Sequence, residues 1–341
     1  MMLNTAKQYP YVIFSPYFGK LPNYFELWAR SCSNNKKFLF IVFTDCQYNG
    51  DLPENVLLHQ MEFTKIKEII QKKLNFPISL DTPYKLCDYK PCFGYLFQEY
   101  LNDAKYWGHC DMDLIFGNIE KFLPNKDYDK ISHLGHLCLY KNIPSIREAF
   151  KLSSPHPLTF KEILSSPINF AFDEIPSYGI NAIFAKNNLS IFPYEKSVAE
   201  ISPIDAGFVL NHRNYPTISQ EFGHFIFTFE HGKIYKYSYW ENMITKTEVS
   251  YIHLQKRQMK QCLSGEMDQF LITRNSFLNF QHPTKDIILS SEPKHPKIAS
   301  LCLLLKIKRK TAPKRIARII ETQKIRFRKL VRNLLFKEKL Q

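Results

Sequence analysis

A chain of 341 residues, 45% apolar and 23% charged, can bury one large α/β core or two smaller ones, which excludes general disorder. Glycine is scarce, 11 residues against 28 Phe and 19 Tyr, so collagen-like and low-complexity sequence are excluded and aromatic-rich sheets are expected. The +14 formal charge is concentrated: residues 301–341 hold fourteen Lys or Arg against Glu321 and Glu338, so the tail carries +12 and the rest is near neutral. That is a body with an attached electrostatic anchor, and no nucleic-acid partner is expected.

The eight cysteines contain no Cys-x-x-Cys pair and read as reduced, cytosolic thiols, with Cys87 and Cys92 too loosely spaced for a zinc site. The first residues, MMLNTAKQYPYVIFSPYFG, lack a charged segment followed by a long apolar one, so no secretory leader is expected. No run approaches the roughly 20 apolar residues that span a bilayer. The expected location is the cytoplasm, peripheral on the inner face of the cell membrane.

In chain order, Tyr11 to Ser15 reads as a buried strand that ends in the Pro and Gly-punctuated loop SPYFGKLP, and Leu21 to Cys32 reads as a helix. Phe38 to Thr44 and Val56 to Met61 are further strands, and Phe63 to Leu74 is a Lys-rich amphipathic helix. After KLCDYKP a helix is expected over 92–102 and a strand over Lys105 to Cys110, entering Asp111–Met112–Asp113. His133 to Tyr140 and Ile180 to Ala185 read as strands, Phe225 to Tyr239 as a hairpin turning at His231 and Gly232, and residues 248–254 as one more strand. Strands alternating with helices predict a mainly parallel sheet covered on both faces. One catalytic domain is expected over 9–285, a linker over 286–300 and a basic tail over 301–341.

In the tail, Thr311 and Pro313 suit a helix start, and Ile316, Ile320, Phe327, Val331 and Leu334 recur at helical spacing among basic residues. This is the pattern of an interfacial helix on an anionic leaflet. A basic helix docking its apolar stripe on the domain has the same pattern.

Ligands in open α/β sheets sit beyond the carboxyl ends of strands, so the loop after the first strand, Asp45 and the Asp-x-Asp segment are expected around one crevice, where Asp45 could meet a base. Carried on from that strand, Asp111 and Asp113 point the same way while Met112 points to the other face, a repelling pair that a divalent cation relieves. Oxygen ligands favour Mg²⁺ or Mn²⁺ with positions open to phosphate oxygens. An ordinary acidic turn would read the same. Asp173 and Glu174, in FAFDEIPSYGIN, are candidates for the base that removes a proton from an acceptor hydroxyl. Lys256 and Arg257 suit a departing diphosphate or a solvated turn.

The strings SPYFGKLPNYFELW, IVFTD, PYKLCDYKPCFGYLF, YWGHCDMDLIFGNI and YIHLQKR, in that order over residues 9 to 260, resemble a bacterial family of GT-A glycosyltransferases associated with surface-polysaccharide synthesis. The resemblance implies a Rossmann-like mixed sheet flanked by helices, of the nucleotide-diphospho-sugar transferase kind. It also implies a nucleotide-diphosphate sugar donor and a glycan or lipid-linked acceptor. It places Pro16, Tyr17 and Phe18 against the nucleoside, Lys85 and Asp88 near ribose and diphosphate, and His253 in the metal shell with Asp111 and Asp113. Core aromatics, a helix cap at Asp88 and a hydrogen-bonded core histidine are the plainer roles for the same residues. A sugar nucleotidyltransferase and a non-catalytic assembly scaffold at the membrane remain the alternatives.

Overall fold

The computed structural model describes residues 9–202, 224–255, 257–265, 267–291 and 296–338, with the backbone alone for 296, 297, 299 and 332–338. The chain begins β1 (Tyr11–Phe14), α1 (Phe25–Ser33), β2 (Phe38–Thr44), β3 (Val56–Gln60) and α2 (Phe63–Leu74). A tight helical turn over Pro83–Cys92 leads to α3 (Phe93–Leu96), β4 (Tyr106–Cys110), β5 (Leu114–Phe116), β6 (Lys130–Ile131) and β7 (Leu137–Lys141). Next come α4 (Pro144–Arg147), α5 (Phe160–Ser165), α6 (Ile180–Lys186), β8 (Ile191–Phe192) and β9 (Val198–Glu200). The antiparallel part follows as β10 (His224–Glu230), β11 (Lys233–Trp240), β12 (Met243–Val249), β13 (Tyr251–His253), β14 (Lys260–Cys262), β15 (Gln269–Ile272) and β16 (Ser276–Asn279). Two helices close the chain, α7 (Lys285–Ser290) and α8 (Pro296–Glu338).

The fold is mixed α/β. Its main sheet has the order β3-β2-β1-β4-β7-β6-β8, with β3, β2, β1 and β4 parallel and β7 antiparallel to β4. Both faces are covered, which is why FLFIVFT is buried along its whole length. Alternate residues feed two cores. Phe14, Ile41 and Phe43 pack with Ile66 and Ile70 of α2, while Ile13, Phe40 and Val42 pack with Phe25 and Trp28 of α1.

A second, six-stranded sheet, β12-β11-β10-β15-β16-β14, and a three-stranded one, β5-β13-β9, complete the body. The β10–β11 hairpin turns at His231 (φ 47°) and Gly232 (φ 82°), the two positive-φ positions that a tight hairpin of this hand requires. The sequence pattern finds this hairpin but not the partners β15 and β16, whose four-residue runs are too short to carry a period.

Several expectations are corrected. Ile180 to Ala185 is helix, not strand: in a short apolar run the two periods are indistinguishable, and Gly179 caps the helical solution. The helix expected over 92–102 shrinks to α3 and one tight turn at Gln98–Tyr100. The strand expected from His133 begins only at Leu137. In the expected linker, α7 is capped by the Thr284 hydroxyl and buries Ile288 beside Ile226 and Tyr237. The tail helix does not start at Pro313 but runs through it, its apolar spacing continuing on both sides. The side chain of Leu334 lies outside the described residues. Among the described residues no helix is long and apolar enough to cross a membrane.

Candidate functional site

The Asp-x-Asp segment is a corner rather than a strand. β4 ends at Cys110 in the main sheet and β5 begins at Leu114 in the three-stranded one, so Asp111–Asp113 carries the chain from one sheet to the other. Two backbone bonds pin the corner: Asp111 N–H donates to His136 O and Leu254 N–H to Asp113 O, each at 2.9 Å. The carboxylates therefore meet because of the sheet change, not because of a pleat. Beside them, the Ser15 hydroxyl donates to Cys110 O at 3.0 Å and ties the loop after β1 to the same crevice.

His253 stands at the end of β13, paired to β5 on one side and β9 on the other. Its Nδ1 is 2.8 Å from Glu200 Oε2 and its Nε2 is 3.4 Å from Asp113 Oδ1. Glu200 also lies 2.7 Å from His136 Nε2 and accepts from the Gln255 amide, while the Tyr251 hydroxyl meets His136 Nδ1 at 3.1 Å. The oxygens of Glu200 are thus engaged on three sides, and one ring nitrogen of His253 is fixed, leaving the other aimed at the acids. A carboxylate behind a histidine in this way sets the ring's tautomer and orientation. Burial raises the cost of charge on Glu200, but His136 and His253 outweigh it and hold the carboxyl below its ordinary range. For His253 burial opposes the imidazolium, and Glu200 with Asp113 overcomes it, raising the ring well above its ordinary value.

Asp111, Asp113 and His253 offer one ligand atom each, all within 4.8 Å of one another. Atoms sharing one ion at about 2.2 Å lie at most about 4.4 Å apart, so small side-chain movements close the set around a divalent cation. His136, Glu200 and His253 form a second such group, fully buried. Its atoms already bond one another, so it reads as support for the first.

Lys90 bridges the two acidic regions. Its Nζ is 2.7 Å from Asp111 Oδ1, 2.9 Å from Asp173 Oδ2 and 2.7 Å from Gly135 O, which uses all three of its protons. Burial disfavours the ammonium, but Asp111 and Asp173 prevail and raise Lys90 well above its ordinary value. Asp173 shares that single cation with Asp111 and has Glu174 alongside, so for it burial wins and its carboxyl is pushed up to about 7. Glu174 is exposed; both carboxylates approach Gly135, where an added Cβ would lie 2.9 Å from Asp173 Oδ2 and from Glu174 Oε2.

In front of the corner lies a cavity of about 850 Å³ whose lining includes Pro16, Tyr17, Phe18, Asp111, Asp113 and Arg257, all expected at the site. Lys20 and Lys260 also line it and, with Arg257, attract anions, while Lys90 lines it with its charge already met by Asp111 and Asp173. Arg257 is braced by bonds to Ser202 O (3.0 Å) and Arg274 O (3.3 Å). Lys256 lies outside the described residues. Asp45 is turned to the loop, accepting Gly19 N–H at 2.8 Å where Gly19 adopts φ 106°. That is a loop-holding role, and Asp45 is not among the residues that line the cavity.

Lys85 and Asp88 are corrected too. They are buried against each other at 2.7 Å, away from the cavity lining. Lys85 donates to Ile163 O and Ile168 O, and Asp88 accepts from Phe170 N–H and Phe172 N–H. The pair fixes the segment leading to Asp173 rather than touching a ligand, and Asp88 caps no helix of its own. Lys90, two positions on, is the charged residue of KLCDYKP that reaches the site, where Leu86 and Cys87 also line the cavity. Sequence reasoning missed it, together with His136 and Glu200, which sit in segments of unremarkable composition.

Glu200→Gln tests the support. Mn²⁺ affinity, read by calorimetry, is expected to fall about 10–100-fold as His253 loses its orienting acceptor. Unchanged affinity would remove Glu200 from the site.

Fold and site together define a mixed α/β protein with an acid–histidine cluster beyond the carboxyl ends of its parallel strands. The chain belongs to DUF6625, a family of unknown function whose model matches residues 13–281, which takes in the whole cluster and stops short of α8. A comparison with curated proteins finds no match.

Proposed function

We propose that this chain is a metal-dependent glycosyltransferase of the GT-A type, moving a sugar from a nucleotide-diphosphate donor to a glycan or lipid-linked acceptor in surface-polysaccharide synthesis. The observation that carries the reading is the junction of two features. Asp111 and Asp113 of a cation-ready Asp111–Asp113–His253 set line a cavity of about 850 Å³, roomy enough for a nucleotide, that Lys20, Arg257 and Lys260 also line. The parallel β3-β2-β1-β4 unit, followed by an antiparallel β7 and a corner bearing the acids, supports the GT-A assignment.

In this reading Asp111, Asp113 and His253 hold Mn²⁺, or Mg²⁺ less favourably, because a nitrogen ligand suits the softer ion. The bound ion would offset charge gathering on the departing diphosphate. Tyr17 and Phe18 border the nucleoside, and Lys20, Lys260 and Arg257 attract the phosphates. Lys90 keeps Asp111 and Asp173 at fixed separation. Asp173 is buried against Lys90, whereas Glu174 beside it is exposed to an incoming acceptor, so Glu174 takes the base role in an inverting transfer.

The test is Mn²⁺-dependent turnover across a panel of nucleotide sugars by the full chain. Turnover of one donor is expected, and no turnover or binding of any of them would sink the proposal. Glu174→Gln is expected to slow transfer about 10²-fold while leaving donor binding unchanged. An unaltered transfer rate would take the base role away from Glu174.

A further inference from the structure

α8 has two working faces. Towards the domain, Ile325 is buried in the main core, Arg318 Nε donates to Asn169 O at 2.9 Å, and Lys329 pairs with Glu162 at 2.8 Å. Lys314 Nζ sits 4.9 Å from the ring centroid of Tyr84, and Tyr84 lines the cavity in front of the Asp-x-Asp corner. At Lys314 the helix therefore touches the rim of the candidate site.

On its other side, Ile298, Leu301, Leu305, Ile316, Phe327 and Leu330 are each more than half exposed. At 3.6 residues per turn these six fall within about 80° of arc, roughly opposite Arg318 and Ile325. Arg309 and Gln323 are the polar residues inside that arc. Lys306 and Lys324 flank it on one side, and Lys308, Arg315 and Arg326 on the other. Docking on the domain and an outward apolar stripe, which the sequence offers as alternatives, are two faces of one helix.

An apolar stripe of this length left in water marks a binding surface. Its flanks select the occupant. A second copy of the helix would bring like charges together along both edges of a paired seam, where such pairs need opposite signs. A nucleic acid would meet the cations and leave the stripe wet. An anionic bilayer satisfies both, taking the stripe into the acyl boundary and the cations among the headgroups.

We infer that α8 lays the protein on an anionic membrane by its outward stripe and so holds the cavity rim at the lipid surface. It follows, resting on the transferase reading, that the acceptor is a membrane-anchored hydroxyl compound.

The test is flotation of the full chain with phosphatidylcholine vesicles, with and without added phosphatidylglycerol. The native chain is expected to partition about tenfold or more in favour of the anionic vesicles, and to lose that preference at high salt. The Ile316→Asp/Phe327→Asp double variant should stay behind while keeping its circular dichroism and melting temperature. Equal flotation of the double variant would overturn the inference. So would a native chain that does not float but dissociates from dimer to monomer in the double variant, which would make a second copy the occupant. Asp111→Asn must still float: flotation without donor turnover in the native chain defeats the transferase reading alone, and turnover without flotation defeats the surface alone. With an active donor in hand, the double variant should lose transfer to a vesicle-embedded long-chain alkyl glycoside but not to the water-soluble methyl glycoside. Equal loss on both would overturn the acceptor class.

Discussion

Asp111→Asn and Asp113→Asn are each expected to abolish the rise in melting temperature that Mn²⁺ gives the native chain, and to lower metal-dependent donor turnover about 10³-fold. A ligand that binds only the folded state at a hundred times its dissociation constant adds about 2.7 kcal/mol of stability, a shift readable without knowing the donor. Asparagine keeps the shape of each side chain but removes a charge from a three-ligand set in which the remaining members, one acid and one imidazole, hold a hard cation weakly. The apo proteins should not be destabilised alike. At position 113 the substitution removes the partner facing His253 Nε2 at 3.4 Å, whereas at 111 it removes one of two carboxylates on Lys90. An Mn²⁺ shift that persists in both variants would place the metal elsewhere or remove it from the protein.

The parts of this fold that sequence exposes are those whose period is long enough to count. FLFIVFT and the helix from Phe63 to Leu74 fall at the bounds expected of them, and the His231–Gly232 turn is written in its residue types. The four-residue strands β15 and β16 are too brief to separate from loop, and Ile180 to Ala185 reads equally well in two periods until Gly179 and its neighbours pack. The site divides in the same way. Asp111, Asp113 and His253 are chemically conspicuous, and the fold brings their ligand atoms within 4.8 Å of one another. What the pattern misses is depth: Lys85, Asp88 and Lys90 lie within six residues, and only tertiary packing decides that two brace a loop while the third reaches the acids. Glu200 is a lone acid in sequence and acquires its role only because β9 pairs with β13 and sets it beside His253.

Lys90→Met should cost about 3–5 kcal/mol at pH 8, by urea denaturation, and distinctly less at pH 5. The native ammonium spends three protons on Asp111, Asp173 and Gly135 O, so its loss leaves a buried carboxylate at 173 with no cation beside it. The pH dependence follows from the direction of the shift at Asp173. Its carboxyl is raised in the folded state, so between the ordinary value near 3.8 and the folded value near 7 the native protein binds the extra proton and stability falls as pH rises. Lys90 is what restrains that rise. Without it the folded carboxyl climbs further, the window extends upward, and the deficit is largest where Asp173 must ionise. At pH 5 the proton is already bound, and the variant forfeits mainly the Lys90 bonds to Asp111 and Gly135. The lysine itself, raised well above its ordinary value by the two acids, is linked to pH with the same sign, but its window opens only above about 10.4 and so does not bend the comparison between pH 5 and pH 8. A deficit of equal size at pH 5 and pH 8 would mean that Asp173 is not the group Lys90 protects, and the bridge between the two acidic regions would lose its energetic basis.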